Sequence, residues 1–229
     1  PSAYIETTIP SYYTARGARS ILQASRQLAT REWWDGGCSG FKLFTSTETL
    51  NEAREGNPEM AAERVNLLRG IAILPVTVEA AALARLLVAS GLVPEIASPD
   101  AVHIALASVH QIDFLVTWNF KNIANPFIRE RMRWKINEAG HRMPVMCSPE
   151  ELLMKMKLAD NPPKVIDEVM AEVRAIKRAI SERHGNNIDH LLDSLIAQEL
   201  SRGSGEMDSS SMKPMSSSTE GTQLETKKP

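Results

Sequence analysis

The 229-residue chain carries a formal net charge of −2 and 43% hydrophobic residues, enough for one domain of roughly 150 residues plus an appendage. That charge excludes a strong general attraction to nucleic acid or membranes, so a nucleic-acid partner has to be met by a local patch. No apolar run reaches the ~20 residues that span a bilayer, and Pro1–Pro10 does not read as a signal peptide. Cys38 and Cys147 match no metal-ligand or redox spacing. Together these features predict a soluble, cytoplasmic protein with two ordinary thiols and no membrane partner.

In chain order, Ala3-Tyr4-Ile5 is a short strand that stops at Glu6-Thr7-Thr8. A helix follows over about Arg19–Trp34, with Ile21, Leu22, Ser25 and Leu28 on one side and Asp35-Gly36-Gly37 closing it. Phe41–Ser46 reads as the second strand, and its last hydroxyls can cap a helix over Glu48–Glu55. Asn57-Pro58 starts a helix over Glu59–Arg69, ended by Gly70. Ala72–Leu74 is a third buried strand, stopped by Pro75, and Thr77 opens a helix that runs to Ser90 and Gly91.

The next helix has Asp100 in its first turn and Ala101, Ile104, Ala105 and Ala107 as a small apolar face. It runs out at His110–Asp113, and Phe114–Trp118 then reads as a buried strand ending in Asn119. Pro126–Glu138 is basic and amphipathic, Pro144–Cys147 is a last strand, and Ser148-Pro149-Glu150-Glu151 opens a further helix. Alternating strands and helices predict an α/β fold with a mostly parallel sheet covered by helices on both faces.

Past Leu158 the character changes. Ala159–Pro163 reads as a linker, and Val165, Val169, Val173, Ile176 and Ile180 form one apolar helical stripe. After His184–Asn187, a second stripe carries Ile188, Leu191, Leu192, Leu195, Ile196 and Leu200. From Gly203 onward a Ser, Thr, Lys, Glu and Met mixture without periodicity predicts disorder. The expected division is therefore 1–158, 159–202 and 203–229.

Three carboxylates fall where elements end: Glu6 after the first strand, Glu52 in the helix after the second, and Asp100 before the fourth. In a parallel sheet such positions share the carboxyl edge. Converging carboxylates call for a cation, and oxygen-only ligands suit Mg²⁺ or Mn²⁺, which can serve phosphodiester hydrolysis. The competing reading is three solvated charges, with Asp100 stabilised by a helix dipole alone.

Tyr4-Ile5-Glu6-Thr7-Thr8, the Ser46-to-Glu52 spacing, Asp100-Ala101-x-His103-Ile104-Ala105-x-Ala107 and Leu115-Val116-Thr117-Trp118-Asn119 resemble PIN domains of the VapC-like toxin type over Ala3–Leu153. The resemblance implies a three-layer fold and a Mg²⁺- or Mn²⁺-dependent endoribonuclease of a type II toxin–antitoxin system. It places Glu6, Glu52 and Asp100 on the acidic metal positions and Asn119 on the fourth catalytic position. Two positions depart from the family: Glu6 stands where aspartate is usual, and Asn119 where an acid is common. These departures keep open a second reading, a catalytically weak scaffold that binds RNA or a protein without cleavage.

Thr7, Thr8 and Thr117 can hydrogen-bond the carboxylates or simply cap strand ends. His103 can contact an RNA phosphate or pack. Arg129, Arg131, Arg133 and Lys135 can meet an RNA backbone or form a solvated helix face. Trp118, Trp33 and Trp34 can stack on bases or fill the core. The stripe around Ile166–Lys177 and His184–Leu195 resembles the short helical antitoxin-like proteins often encoded beside such toxins. That likeness implies a built-in regulator acting in cis or in trans, with homodimerisation as the alternative role.

Overall fold

The first strand, β1 (Ser2–Ile5), is buried on both faces, and its alternation divides the core. Tyr4 packs into a cluster with Leu87, Ile104, Leu115, Met132 and Ile136. Ala3 and Ile5 point the other way, toward Ile9, Trp33, Val116 and Trp118. A strand buried on both faces needs a layer on each side.

The computed structural model describes residues 1–153 and 168–203. The chain divides into two compact units, 1–163 and 164–229. In the first, β1 is followed by α1 (Thr8–Thr14), α2 (Ile21–Glu32), β2 (Lys42–Ser46), α3 (Thr47–Arg54), α4 (Pro58–Leu67) and β3 (Ala72–Leu74). Then come α5 (Val78–Ala89), α6 (Ser98–Val109), β4 (Phe114–Val116), α7 (Arg129–Glu138) and β5 (Val145–Cys147). The five strands form one parallel sheet in the order β3-β2-β1-β4-β5. The chain therefore winds outward from β1 in one direction and then returns to add β4 on its other side. A crevice between β1 and β4, at their carboxyl ends, is where such sheets place ligands.

Side-chain caps fix several boundaries. Ser46 accepts the Thr49 N–H at 3.2 Å, Asn57 accepts those of Glu59 and Met60, and Thr77 accepts that of Ala80. Ser148 and Glu151 form a reciprocal capping box, Ser148 Oγ accepting the Glu151 N–H and Glu151 Oε2 the Ser148 N–H.

Four expectations are corrected. Thr8 begins a helix, α1, which buries Ile9; its N-cap Thr7 makes no side-chain cap bond, so the usual start signal is missing. The expected apolar side of α2 faces outward, Ile21 being 91% exposed, while Gln27 and Thr30 are buried. On the inward side, Thr30 Oγ1 accepts the N–H of the buried Trp118 indole at 2.8 Å, and Trp33, just after α2, is fully buried in the core. Beyond α2 the chain does not stop at Asp35 but continues as a π-helical turn, Trp33–Gly37. Finally, β4 ends at Val116, because the Trp118 and Asn119 N–H groups turn to Thr8 Oγ1 and Thr117 Oγ1 instead of a neighbouring strand.

At the amino edge, Asp113 ties β1 to β4. Its Oδ2 accepts the Ser2 N–H at 2.9 Å and the Ser2 hydroxyl at 3.1 Å, and its Oδ1 accepts from Arg142 at 3.0 Å. These bonds pull its carboxyl down to about 2. A depressed carboxylate stabilises the fold above its unfolded pKa near 4 and loses that contribution as pH falls toward 2. Asp113→Asn is expected to flatten the loss of stability between pH 4 and pH 2, measured by urea unfolding; a variant with the wild-type acid slope rejects this assignment.

The second unit holds α8 (Glu168–Arg183) and α9 (Ile188–Gly203). They are joined by a turn with Gly185 and Asn186 at positive φ. Val169, Ile176, Ile180, Ile188, Leu192, Leu195 and Ile196 are exposed on these helices. The expected linker Ala159–Pro163, Val165 and the tail from 204 lie outside the described residues. Among the described residues no helix is long and apolar enough to cross a membrane. Cys38 is half-buried and Cys147 is buried.

Candidate active site at the carboxyl edge

Glu6 directly follows β1, Glu52 lies in the second turn of α3 after β2, Asp100 is in the first turn of α6, and Thr117 to Asn119 follow β4. All belong to the carboxyl edge. What places Asp100 there is the burial of α6 on nearly every side. Ala101, Ile104, Ala105, Leu106, Ala107 and Ser108 are all buried, and Ala80, Ala84 and Leu87 of α5 share their cluster. An all-round apolar helix has no freedom to rotate in its seat.

Glu6 is 3% exposed. Its Oε2 accepts the Thr8 N–H at 2.9 Å, and its Oε1 accepts the Thr8 hydroxyl. Burial pushes its carboxyl above the ordinary range, against the pull of the His103 charge and the Thr8 and Thr117 hydroxyls. Glu52 is partly exposed, and both of its hydrogen bonds fall on Oε2: one from the Thr7 hydroxyl and one from His103 Nε2 at 3.0 Å. Burial raises the Glu52 carboxyl, but the His103 bond and charge and the Thr7 bond outweigh it and hold it below the usual range. Thr7 and Thr8 thus each engage one acid, while Thr117 Oγ1 also accepts the Asn119 N–H at 2.8 Å.

His103 is 1% exposed. Besides Glu52 it bonds the Tyr4 hydroxyl through Nδ1 at 2.7 Å, and that hydroxyl also meets Ser46 Oγ at 2.6 Å and Thr49 Oγ1 at 3.2 Å. Burial alone would lower the imidazole pKa; Tyr4, Glu52 and Glu6 together push it up to about 10. As an imidazolium it donates from both nitrogens. With both engaged inside the protein, it has no atom left for an RNA phosphate, and that expected contact is replaced by support of Glu52.

Asp100 and Asn119 are joined by a residue that the sequence reading missed. Asn122 Nδ2 donates to Asp100 Oδ2 at 2.7 Å, and the Asn122 N–H donates to Asn119 Oδ1 at 3.0 Å. The Asn-x-x-Asn spacing of a side-chain-capped turn was the available signal. Tyr4 was also missed, since a buried tyrosine in a strand looks like plain core.

The basic segment is not brought to this cluster. Arg133 pairs with Glu130 and Lys135 with Glu138, while Arg129 and Arg133 line a groove of about 340 Å³ with Arg142 and Val145. Arg131 lines another, beside Trp134. Trp33 and Trp118 are buried. Beside Trp118, Phe120 is 40% exposed, and the Arg26 guanidinium lies over both rings at 5.4 and 5.5 Å. A groove of about 730 Å³ between α5 and α6 is lined by none of the candidate acids.

Among the described residues no three His, Cys, Asp or Glu side chains stand gathered in a metal-holding arrangement. The donor chemistry nonetheless suits a hard divalent ion. Glu6, Glu52 and Asp100 bring three carboxyl groups to the same sheet edge, and every candidate donor is an oxygen. Set against known proteins, the chain matches no family model and no curated protein sequence.

Proposed function

We propose that the protein is a Mg²⁺- or Mn²⁺-dependent endoribonuclease of the PIN-domain toxin type. The observation that supports this reading is the placement of Glu6, Glu52, Asp100 and Asn119 on one carboxyl edge of the sheet, where β1 and β4 adjoin. In this reading Glu6, Glu52 and Asp100 hold the ion. Glu52 offers Oε1, since its hydrogen bonds fall on Oε2, and Asp100 offers the oxygen that Asn122 does not take. A bound ion supplies Lewis acidity toward a phosphodiester oxygen and toward the attacking water. The chain's own part is to orient the acids through Thr7, Thr8 and Asn122, and His103 and Thr7 hold the Glu52 carboxyl low.

One observation favours the second reading, a non-cleaving scaffold. Asn119 contributes no charge, and its side-chain oxygen already accepts the Asn122 N–H. Single-stranded RNA incubated with the full chain in Mn²⁺ and in EDTA separates the two. The nuclease reading expects cleavage in Mn²⁺ alone, with no 2′,3′-cyclic phosphate among the products, because water and not the 2′-hydroxyl attacks. RNA that stays intact in every divalent metal leaves the scaffold reading standing.

A further inference from the structure

We propose that His103 is a positioning residue for Glu52, fixing one carboxylate oxygen from beneath so that the other faces the cation. This inference rests on the metal-dependent reading of the acidic edge. Three features of the geometry support it. First, the imidazole is buried and sits between one strand residue and one helix residue: Tyr4 Oη at 2.7 Å on Nδ1 and Glu52 Oε2 at 3.0 Å on Nε2. A planar ring held at both nitrogens cannot swing, so the Nε2–H direction is set by the Tyr4 end. Second, Tyr4 is itself fixed, because its hydroxyl meets Ser46 and Thr49 at the start of α3, the same helix that carries Glu52. The loop of contacts runs from α3 through β1 to α6 and back to α3. Third, Thr7 donates to the same Glu52 oxygen that His103 holds, so Oε2 is saturated and only the second oxygen is presented.

Ligand carboxylates depend on such outer hydrogen bonds, whose loss typically weakens metal binding about 10–100-fold. The Tyr4 and His103 pair thus makes the metal affinity of the surface acid depend on a buried strand residue.

The test uses amide replacements that each reproduce one ring nitrogen. In His103→Gln the amide NH₂ stands near Nε2 and can still donate to Glu52. In His103→Asn it stands near Nδ1 and reaches Tyr4 but not Glu52. Mn²⁺ affinity of the full chain, measured by calorimetry, is expected to stay within about threefold of wild type for His103→Gln. It is expected to fall about tenfold or more for His103→Asn. A folded His103→Asn protein with wild-type affinity overturns the proposal, as does equal weakening in both variants, which a purely structural histidine would give. Should His103→Asn not fold, Tyr4→Phe takes its place: it frees the ring, and an unchanged Mn²⁺ affinity then overturns the proposal. Wild-type protein that binds no Mn²⁺ removes the metal reading itself and this inference with it. Wild type that binds, with Glu52→Gln weakened and the His103 variants unchanged, removes this inference alone.

Discussion

Asp100→Ala is expected to abolish metal-dependent RNA cleavage while leaving the domain folded. Asp100 is only partly buried and has one observed side-chain hydrogen bond, from Asn122, so its removal leaves Asn122 to water and costs little stability. Its cost to chemistry is different in kind. The site has three acids and an uncharged Asn119, so Asp100 is one of only three acidic ligands available to the ion. Loss of an outer hydrogen bond alone already weakens such sites 10–100-fold, and a lost ligand is expected to cost about 100-fold in rate or more. Initial rates in Mn²⁺, beside circular dichroism of the same sample, decide the matter. A folded Asp100→Ala protein that cleaves at the wild-type rate shows that the acid plays no part.

The second large effect is on stability. Ile104 is fully buried in the α5–α6 cluster with Leu87, Leu106 and Leu115. Ile104→Ala removes buried carbon and leaves a cavity in a helix that cannot shift to fill it, which costs about 2–5 kcal/mol. For a domain of this size the melting temperature is expected to fall on the order of 10 °C. Ile104→Val, which deletes one methylene, is expected to lose about 0.5–1.5 kcal/mol. Because Ile104 follows His103 and seats the helix that carries Asp100, the Ala variant is also expected to bind Mn²⁺ more weakly below its melting point. Equal melting temperatures for wild type and Ile104→Ala would mean that α6 is not the core helix described above.

These two sites illustrate what the sequence could and could not reveal. The α6 pattern, small apolar residues on successive turns after Asp100, was legible because burial dictates composition. Ser46, Asn57, Thr77 and Ser148 were legible for a local reason: a hydroxyl or amide before an apolar run satisfies the helix's own N–H groups. The outward turn of Ile21, Leu22 and Leu28 was not, since the inward side is made by long-range contacts, among them Thr30 with an indole N–H 88 residues away. The bond from Tyr4 to His103 also spans 99 residues, and no local period encodes it. Asn122 lay within reach of a local rule, but its partner Asp100 is 22 residues earlier in the chain. The carboxyl-edge position of the three acids was legible from element order alone. Thr7 and Thr8 as partners of the acids were legible from the same edge placement, whereas His103 for Glu52 and Asn122 for Asp100 were not, because those contacts join elements distant in the chain.

The most direct test of the acidic edge as an ion site is the number of Mn²⁺ ions bound by the metal-free full chain at neutral pH, counted by electron paramagnetic resonance of free Mn²⁺. The single set of acids on the carboxyl edge, Glu6, Glu52 and Asp100, predicts one saturable ion per chain, lost in Asp100→Ala and in Glu52→Gln. No saturable binding by the folded wild-type protein, or one ion bound equally by both variants, would contradict it.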